Sequence, residues 1–163
     1  MGLLDFVKDA GSKIFGKDEE PQAKTVDYSA EEREQLNERR RAMALVKLVE
    51  DFGFPVEELA IKVDDDLATV SGKVADQATR EKVLLAVGNT VGIARVDDRL
   101  EVSAAEPEAQ FHTVASGESL SRIAKQYYGD AMKYPVIFEA NKPMLTDPNR
   151  IYPGQVLRIP PQS

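Results

Sequence analysis

The stretch Ala86-Val87-Gly88-Asn89-Thr90-Val91-Gly92-Ile93-Ala94 marks the point where the apolar residues of this chain change their spacing. Before this point, three valines recur at helical intervals: Val83, Val87 and Val91. After it, four apolar residues alternate as on one face of a β-strand: Ala94, Val96, Leu100 and Val102. The stretch therefore predicts the end of a helix, followed at once by a strand.

Two glycines, Gly88 and Gly92, bracket this change of spacing. Glycine accepts a positive φ angle after a helix, and it lets other groups come close to the backbone. A helix end also leaves carbonyl oxygens without hydrogen-bond partners. The two glycines are thus explained either by an ordinary helix cap with a tight connection, or by a loop that displays several backbone oxygens around one point.

The composition excludes several classes of function. The 163 residues suggest one or two small domains, and the net charge of −7 argues against a nucleic-acid-binding protein. The chain has no Cys and a single His, His112, so thiolate metal sites and sites with two imidazoles are impossible. No nucleophile–base pair can be assembled and no carboxylate pair stands out, so we expect no enzyme.

The sequence predicts neither export nor membrane insertion. No apolar run approaches the roughly 20 residues of a membrane span. Asp5 and Asp9 interrupt the apolar residues of the N-terminus, and no small-residue cleavage site follows them. We therefore expect no secretory signal and no stable membrane insertion.

Residues 1–16 have the pattern of a short amphipathic helix. Five apolar residues share one face of it: Leu3, Phe6, Val7, Ala10 and Ile14. An isolated helix of this length is only marginally stable in water, so we expect it to pack on a neighbouring surface. Residues 17–28 are polar and acidic, and they predict a linker.

A unit of two helices and three strands is predicted for residues 29–104. Ser29 and Glu32 form a capping box, which begins a helix that we extend to Asp51. Three consecutive arginines at positions 39–41 are explained by a solvated helix face or, as the alternative, by a partner site.

A β-hairpin follows this helix. Two alternating apolar segments, at residues 61–63 and 68–74, flank three successive aspartates at 64–66. The aspartates suggest a calcium site, but the spaced pattern of an EF-hand is absent, so we expect a solvated turn. Asp76 then caps the helix that leads into the opening stretch.

Residues 105–110 predict a second linker, and residues 111–160 predict a small unit of strand, helix, helix and strand. Ser119 caps its first helix, Gly129 ends that helix, and Pro135 suits the first turn of the second. We therefore predict an α+β protein with an N-terminal helix, an α-β-β-α-β unit and a β-α-α-β unit.

Residues 111–160 resemble a LysM domain along their whole length. The resemblance is carried by Phe111-His112-Thr113-Val114, Ser116-Gly117-Glu118-Ser119-Leu120, Ile137-Phe138-Glu139-Ala140-Asn141 and residues 151–160. The unit at residues 29–104 resembles a BON domain. That resemblance is carried by Ala68-Thr69-Val70-Ser71-Gly72-Lys73-Val74 and Gly92-Ile93-Ala94-Arg95-Val96-Asp97-Asp98.

A BON unit before a LysM unit, after a start that includes Phe6-Val7-Lys8-Asp9-Ala10-Gly11, resembles the family of small bacterial potassium-binding proteins. The resemblance implies a cytoplasmic ion-sensing protein that binds K⁺ selectively and becomes more compact when it does. In that family backbone carbonyls hold the ion. Carried over by motif, the ligands are the carbonyls of six residues: Val7, Lys8, Ala10, Gly88, Thr90 and Ile93. We expect a monomer.

A different function follows from the LysM resemblance alone. That family usually recognises N-acetylglucosamine polymers, here through residues 116–120 and 148–151, so a peptidoglycan-binding protein of the cell envelope is the alternative hypothesis. The missing export signal favours the potassium hypothesis. A membrane contact through the BON unit is the weaker third hypothesis.

Overall fold

A four-stranded sheet and two helices form the larger unit in this computed structural model, which describes residues 3–7, 28–104 and 106–162. The strands are β1 (Leu3–Asp5), β2 (Glu57–Asp64), β3 (Leu67–Val74) and β4 (Arg95–Val102). The helices are α1 (Ala30–Asp51) and α2 (Gln77–Gly88). The strand order across the sheet is β1-β4-β3-β2.

The pairing of the strands follows from their connections. β2 and β3 form an antiparallel hairpin, whereas β3 and β4 are parallel because α2 carries the chain back between them. Ala68 pairs with Val96, and both side chains are buried in one cluster with apolar residues of α1 and α2. The order helix-strand-strand-helix-strand is the predicted one.

The N-terminus differs from the prediction of a helix at residues 1–16. Leu3–Asp5 form a strand that pairs antiparallel with β4, so the prediction was wrong for these residues. Leu4 and Phe6 both pack against the main apolar cluster, which is the one that contains Ala68 and Val96. Their spacing of two residues is that of one face of a strand. The edge of β4 offers unpaired N–H and C=O groups to these residues, whereas a short isolated helix is only marginally stable because its nucleation is costly. The rest of that segment and residues 17–27 of the predicted linker lie outside the described residues.

Local sequence signals in this unit are confirmed. The Ser29 hydroxyl accepts the Glu32 N–H, the Glu32 carboxylate accepts the Ser29 N–H, and α1 ends at Asp51. Asp65 lies in the turn between β2 and β3 with a φ of 53°. The Asp76 carboxylate caps α2 by accepting the Thr79 N–H at 2.7 Å.

A smaller unit follows residue 106. Its elements are β5 (Gln110–Thr113), α3 (Leu120–Tyr128), a short 3₁₀ helix (Ala131–Lys133), α4 (Tyr134–Ala140) and β6 (Val156–Ile159). β5 and β6 pair antiparallel. The Ser119 cap, the left-handed Gly129 and Pro135 in the first turn of α4 are all as predicted. This unit has its own apolar cluster around Ile123, Ile137 and Leu157, and the whole chain is an α+β protein.

Polar side chains of α2 join the two units. The buried carboxylate of Glu81 accepts the Ala109 N–H and lies 3.4 Å from Nε of Arg158 in β6. Burial raises the pKa of Glu81, against the opposing effects of the Arg158 guanidinium and the Ala109 N–H. The predicted linker at residues 105–110 is therefore tied to α2 through its residue 109.

Candidate functional site

The glycine loop (residues 88–94) begins where α2 ends. The N–H of Asn89 donates to the Leu85 carbonyl at 2.9 Å, and the N–H of Thr90 donates to the Val87 carbonyl at 3.2 Å. The Thr90 hydroxyl donates to the Ala86 carbonyl at 2.9 Å. The last turn of α2 thus satisfies three carbonyls in succession, those of residues 85, 86 and 87.

The carbonyls of the predicted ligands in this loop retain acceptor capacity. The Thr90 carbonyl accepts one hydrogen bond, from the Ile93 N–H at 3.2 Å. Among the described residues, no donor reaches the carbonyl of Gly88 or of Ile93. Because a carbonyl oxygen has two lone pairs, all three residues can still offer an oxygen to a cation.

The two glycines serve different purposes. Gly92 has a φ of +84°, a conformation in which a side chain would be strained. Gly88 instead has helical backbone, but a Cβ at this position would overlap the ring of Phe6. The close approach of another group therefore explains Gly88, and the positive φ explains Gly92.

The N-terminal segment lies directly against the glycine loop. The Phe6 N–H donates to the Ala94 carbonyl at 2.6 Å, and the Phe6 ring covers Gly88. Val7 follows with 47% of its surface exposed. The structure therefore places Phe6, the residue before Val7, in contact with Gly88 and Ala94 of the glycine loop. Two other predicted ligands, Lys8 and Ala10, lie outside the described residues.

The role of Asn89 was not predicted from the sequence. This residue is 1% exposed, and its side chain is paired with the backbone of β6. Asn89 Nδ2 donates to the Val156 carbonyl at 2.9 Å, and Asn89 Oδ1 accepts the Val156 N–H at 2.9 Å. No pattern in the sequence connects residues so far apart, and an Asn at a helix end is normally explained as a local cap.

The hypothesis of a solvated face at Arg39–Arg41 is wrong for Arg41. Arg39 and Arg40 are exposed, but the Arg41 guanidinium donates to the carbonyls of Gly92, at 2.8 Å, and Asp65, at 2.6 Å. The glycine loop is therefore hydrogen-bonded both to Arg41 of α1 and, through Asn89, to Val156 of β6.

The ligands offered by this site are neutral oxygens. Within the described part of the chain, no group of three or more His, Cys, Asp or Glu side chains could hold a metal ion. Of the three turn aspartates, Asp66 accepts the N–H groups of Ala94 and Arg95 with its backbone carbonyl, at 2.9 and 3.2 Å. Its carboxylate lies 3.3 Å from the Arg95 guanidinium. Asp66 thus supports the glycine loop through its backbone carbonyl.

The His112 side chain is hydrogen-bonded on both sides of its ring within the smaller unit. Its Nε2 lies 2.6 Å from the Glu118 carboxylate, and its Nδ1 lies 2.9 Å from the Tyr127 hydroxyl. Burial raises the pKa of Glu118, but hydrogen bonds from His112 and the Ala115 N–H outweigh it, so the pKa is lowered overall. Both ring nitrogens of this imidazole are therefore engaged by neighbouring side chains.

Within the described residues, none of the helices has the length and the apolar character that crossing a membrane requires.

Comparison with known proteins identifies the smaller unit. The LysM domain family matches residues 112–160. An uncharacterised protein of Deinococcus radiodurans is 51% identical over 49 residues, which cover 30% of this chain and 19% of that protein. An esterase of Mycobacterium tuberculosis is 43% identical over 53 residues, 32% of this chain and 11% of the esterase.

A further relative matches almost the entire chain. It is the Potassium binding protein Kbp of Escherichia coli, which is 45% identical over 166 residues. The match covers 98% of this chain and 99% of that protein. It therefore includes the N-terminal segment, the glycine loop and the LysM domain together. The chain belongs to the family of the Potassium binding protein Kbp.

Proposed function

We propose that this protein binds K⁺ through the backbone carbonyls of six residues: Val7, Lys8, Ala10, Gly88, Thr90 and Ile93. It acts in the cytoplasm as a monomeric ion sensor without catalytic activity, and the unit at residues 29–104 is a BON domain. The name of the Escherichia coli relative supports the choice of ion, because that relative matches nearly the full length of the chain.

One observation carries the proposal: two distant pieces of chain meet at the proposed site. The hydrogen bond from Phe6 to Ala94 and the packing of Phe6 on Gly88 hold the described N-terminal residues against the glycine loop. Val7 is the next residue, and its neighbours supply the remaining proposed ligands. Neither segment alone offers enough free carbonyls to surround a K⁺ ion.

The chemistry of the loop suits a monovalent cation. Rings of neutral carbonyl oxygens replace the hydration shell of K⁺ in selective sites. Mg²⁺ and Ca²⁺ sites usually add carboxylates to such neutral oxygens, and no carboxylate cluster is available among the described residues. The glycine loop also follows the C-terminus of α2, where the helix dipole favours a positive charge.

Ion binding and docking of the N-terminal segment should strengthen each other. An ion that needs ligands from both segments binds only when they are together, so the two equilibria are linked. The bound protein should therefore be more compact than the free protein, and this compaction is the signal that a sensor would transmit.

Titration calorimetry on two forms of the protein tests the proposal. The full chain should bind K⁺, whereas a form that lacks residues 1–16 should not bind it. The truncated form loses the packing of Leu4 and Phe6 but should remain folded, because every buried residue of the main apolar cluster and of the LysM cluster lies outside the deleted segment. Unchanged K⁺ affinity after truncation would place the site elsewhere.

Peptidoglycan binding is the second candidate, and the LysM match at residues 112–160 favours it. Ser116 and Gly117, in the loop before α3, are exposed, as are Asn149 and Arg150 in the loop before β6. A glycan could therefore reach both loops. Recovery of the protein from the periplasmic fraction, together with capture on purified peptidoglycan, would favour this function over the cytoplasmic one.

A further inference from the structure

Arg41 brings a positive charge from α1 into direct contact with the glycine loop. Its Nη2 donates to the Gly92 carbonyl at 2.8 Å, and its Nη1 donates to the Asp65 carbonyl at 2.6 Å. A Cβ at position 92 would lie 2.9 Å from Nη2. Glycine at this position thus makes room for the guanidinium as well as allowing the positive φ.

The guanidinium is held in one place by its surroundings. The Glu38 carboxylate, three residues earlier on α1, accepts the Asp65 N–H at 2.9 Å. Glu38 and Arg41 therefore both bond to the backbone of Asp65, in the turn between β2 and β3. Arg41 is half-buried, and its two bonds end on backbone atoms of two different segments. The charge therefore stays beside the loop.

This charge is not neutralised by a direct partner among the described residues. Both hydrogen bonds of Arg41 end on carbonyl oxygens, and no ion pair joins it to a described Asp or Glu. A guanidinium cannot be deprotonated in a protein, so the charge is permanent. The Gly92 carbonyl that it occupies lies in the chain between those of Thr90 and Ile93, two proposed ligands.

A permanent positive charge at this place acts differently on ions of different charge. The Coulomb energy is proportional to the charge of the ion, so repulsion is twice as large for a divalent as for a monovalent cation. Backbone carbonyls also serve as ligands for Ca²⁺, so neutral oxygens alone do not reject it. We propose that Arg41 is a specificity-determining residue, which makes the loop discriminate against divalent cations. The inference rests on the proposed K⁺ site.

Calorimetric titration with KCl and CaCl₂ tests this inference on the full-length protein. Arg41→Gln removes the charge and keeps a donor for one carbonyl, Arg41→Met is a second neutral variant, and Arg41→Lys keeps the charge. Removing the charge should tighten the binding of both ions. The repulsion energy is twice as large for Ca²⁺ as for K⁺, so a gain of about threefold in K⁺ affinity corresponds to a gain of about tenfold in Ca²⁺ affinity. Any loss of order in the loop would lower the affinities for K⁺ and Ca²⁺ by the same factor. The ratio of the two affinities should therefore still shift by about threefold.

Arg40→Gln is the matched control, because it removes the same charge from an exposed neighbouring position on α1. It should leave the affinity ratio unchanged, as should Arg41→Lys. Equal factors for K⁺ and Ca²⁺ in both neutral variants, with wild-type K⁺ binding intact, would overturn the role of Arg41 while leaving the proposed function standing. A wild-type protein that binds no K⁺ would overturn both.

Discussion

The side chain of Asn89 pairs with the backbone of Val156 through two hydrogen bonds of 2.9 Å. Asn89 lies between Gly88 and Thr90, and Val156 is the first residue of β6 in the LysM domain. The carboxamide takes the place of a neighbouring strand at the open edge of β6. The LysM domain is thus bonded directly to the loop that carries the proposed ligands.

Replacing Asn89 should weaken both the contact between the units and the binding of K⁺. Asn89→Ala leaves the N–H and carbonyl of Val156 without partners, at a cost of about 1–3 kcal/mol for each group that stays buried. The glycine loop loses its hydrogen bonds to β6, so we expect the K⁺ affinity to fall at least tenfold. Denaturant unfolding and calorimetry measure the two effects.

Asn141 provides the control for this substitution. Its side chain makes the same pair of hydrogen bonds with Arg158, two residues further along β6, at 2.9 and 2.7 Å. Asn141→Ala should destabilise the LysM domain by a similar amount without changing the K⁺ affinity, because Asn141 does not contact the glycine loop. Equal losses of K⁺ affinity in both variants would contradict a specific role for Asn89.

A methyl group at position 88 should displace the N-terminal segment. Gly88→Ala places its Cβ in the space of the Phe6 ring, while alanine itself favours the helical backbone found there. We therefore expect K⁺ affinity to fall strongly with little loss of α2. Amide exchange of Leu4 and Phe6 and titration with KCl measure the displacement and its effect.

The Phe6→Ala background isolates this contact. Once the ring is absent, Gly88→Ala should have little further effect, since residues in contact give non-additive changes. Additive losses in the double variant would mean that the methyl group acts through something other than Phe6.

Thr90 should act through its backbone and not through its hydroxyl. The hydroxyl already donates to the Ala86 carbonyl at 2.9 Å within the last turn of α2. We expect Thr90→Ala to keep the K⁺ affinity within about fivefold, because a single neutral hydrogen bond contributes about 1 kcal/mol to such a loop. A loss of a hundredfold in titration with KCl would identify the hydroxyl as a ligand.

Local chemistry explains why much of the fold was predictable from sequence. The capping box at Ser29, the cap at Asp76 and the change of period around Gly88 depend on neighbours in the chain, so residue types and spacing suffice. The same holds for the left-handed Gly129 at the end of α3.

The features that prediction missed all depend on distant partners. Leu3–Asp5 form a strand because β4 offers an open edge, although their composition also suits a helix. Arg41 and Asn89 look like a surface charge and a local helix cap until the fold brings them to Gly92 and Val156. For the candidate site, the loop ligands stay a prediction from the sequence, whereas the side chains that hold the loop are known only from the tertiary structure.

The pH dependence of stability should contain a contribution from Glu81. Burial raises the pKa of Glu81 above its ordinary value of 4.5, so the folded protein binds more protons than the unfolded chain just above that pH. The stability that this carboxyl contributes is therefore fully present below about pH 4.5 and is lost as the pH rises through the folded-state pKa.

Comparison with Glu81→Gln isolates this contribution. The free energy of unfolding of the wild type, minus that of the variant, should fall as the pH rises above 4.5 and then level off. Urea titrations at a series of pH values provide the measurement. A difference that grows with pH would mean that the ion pair with Arg158 outweighs burial.

Thermal unfolding in KCl and in NaCl at matched ionic strength tests the central claim most directly. An ion that binds the folded state alone raises the midpoint by mass action, whereas screening acts equally for both salts. We predict a midpoint that rises with KCl concentration and rises much less with NaCl. Equal shifts in the two salts would contradict a K⁺ site at the glycine loop.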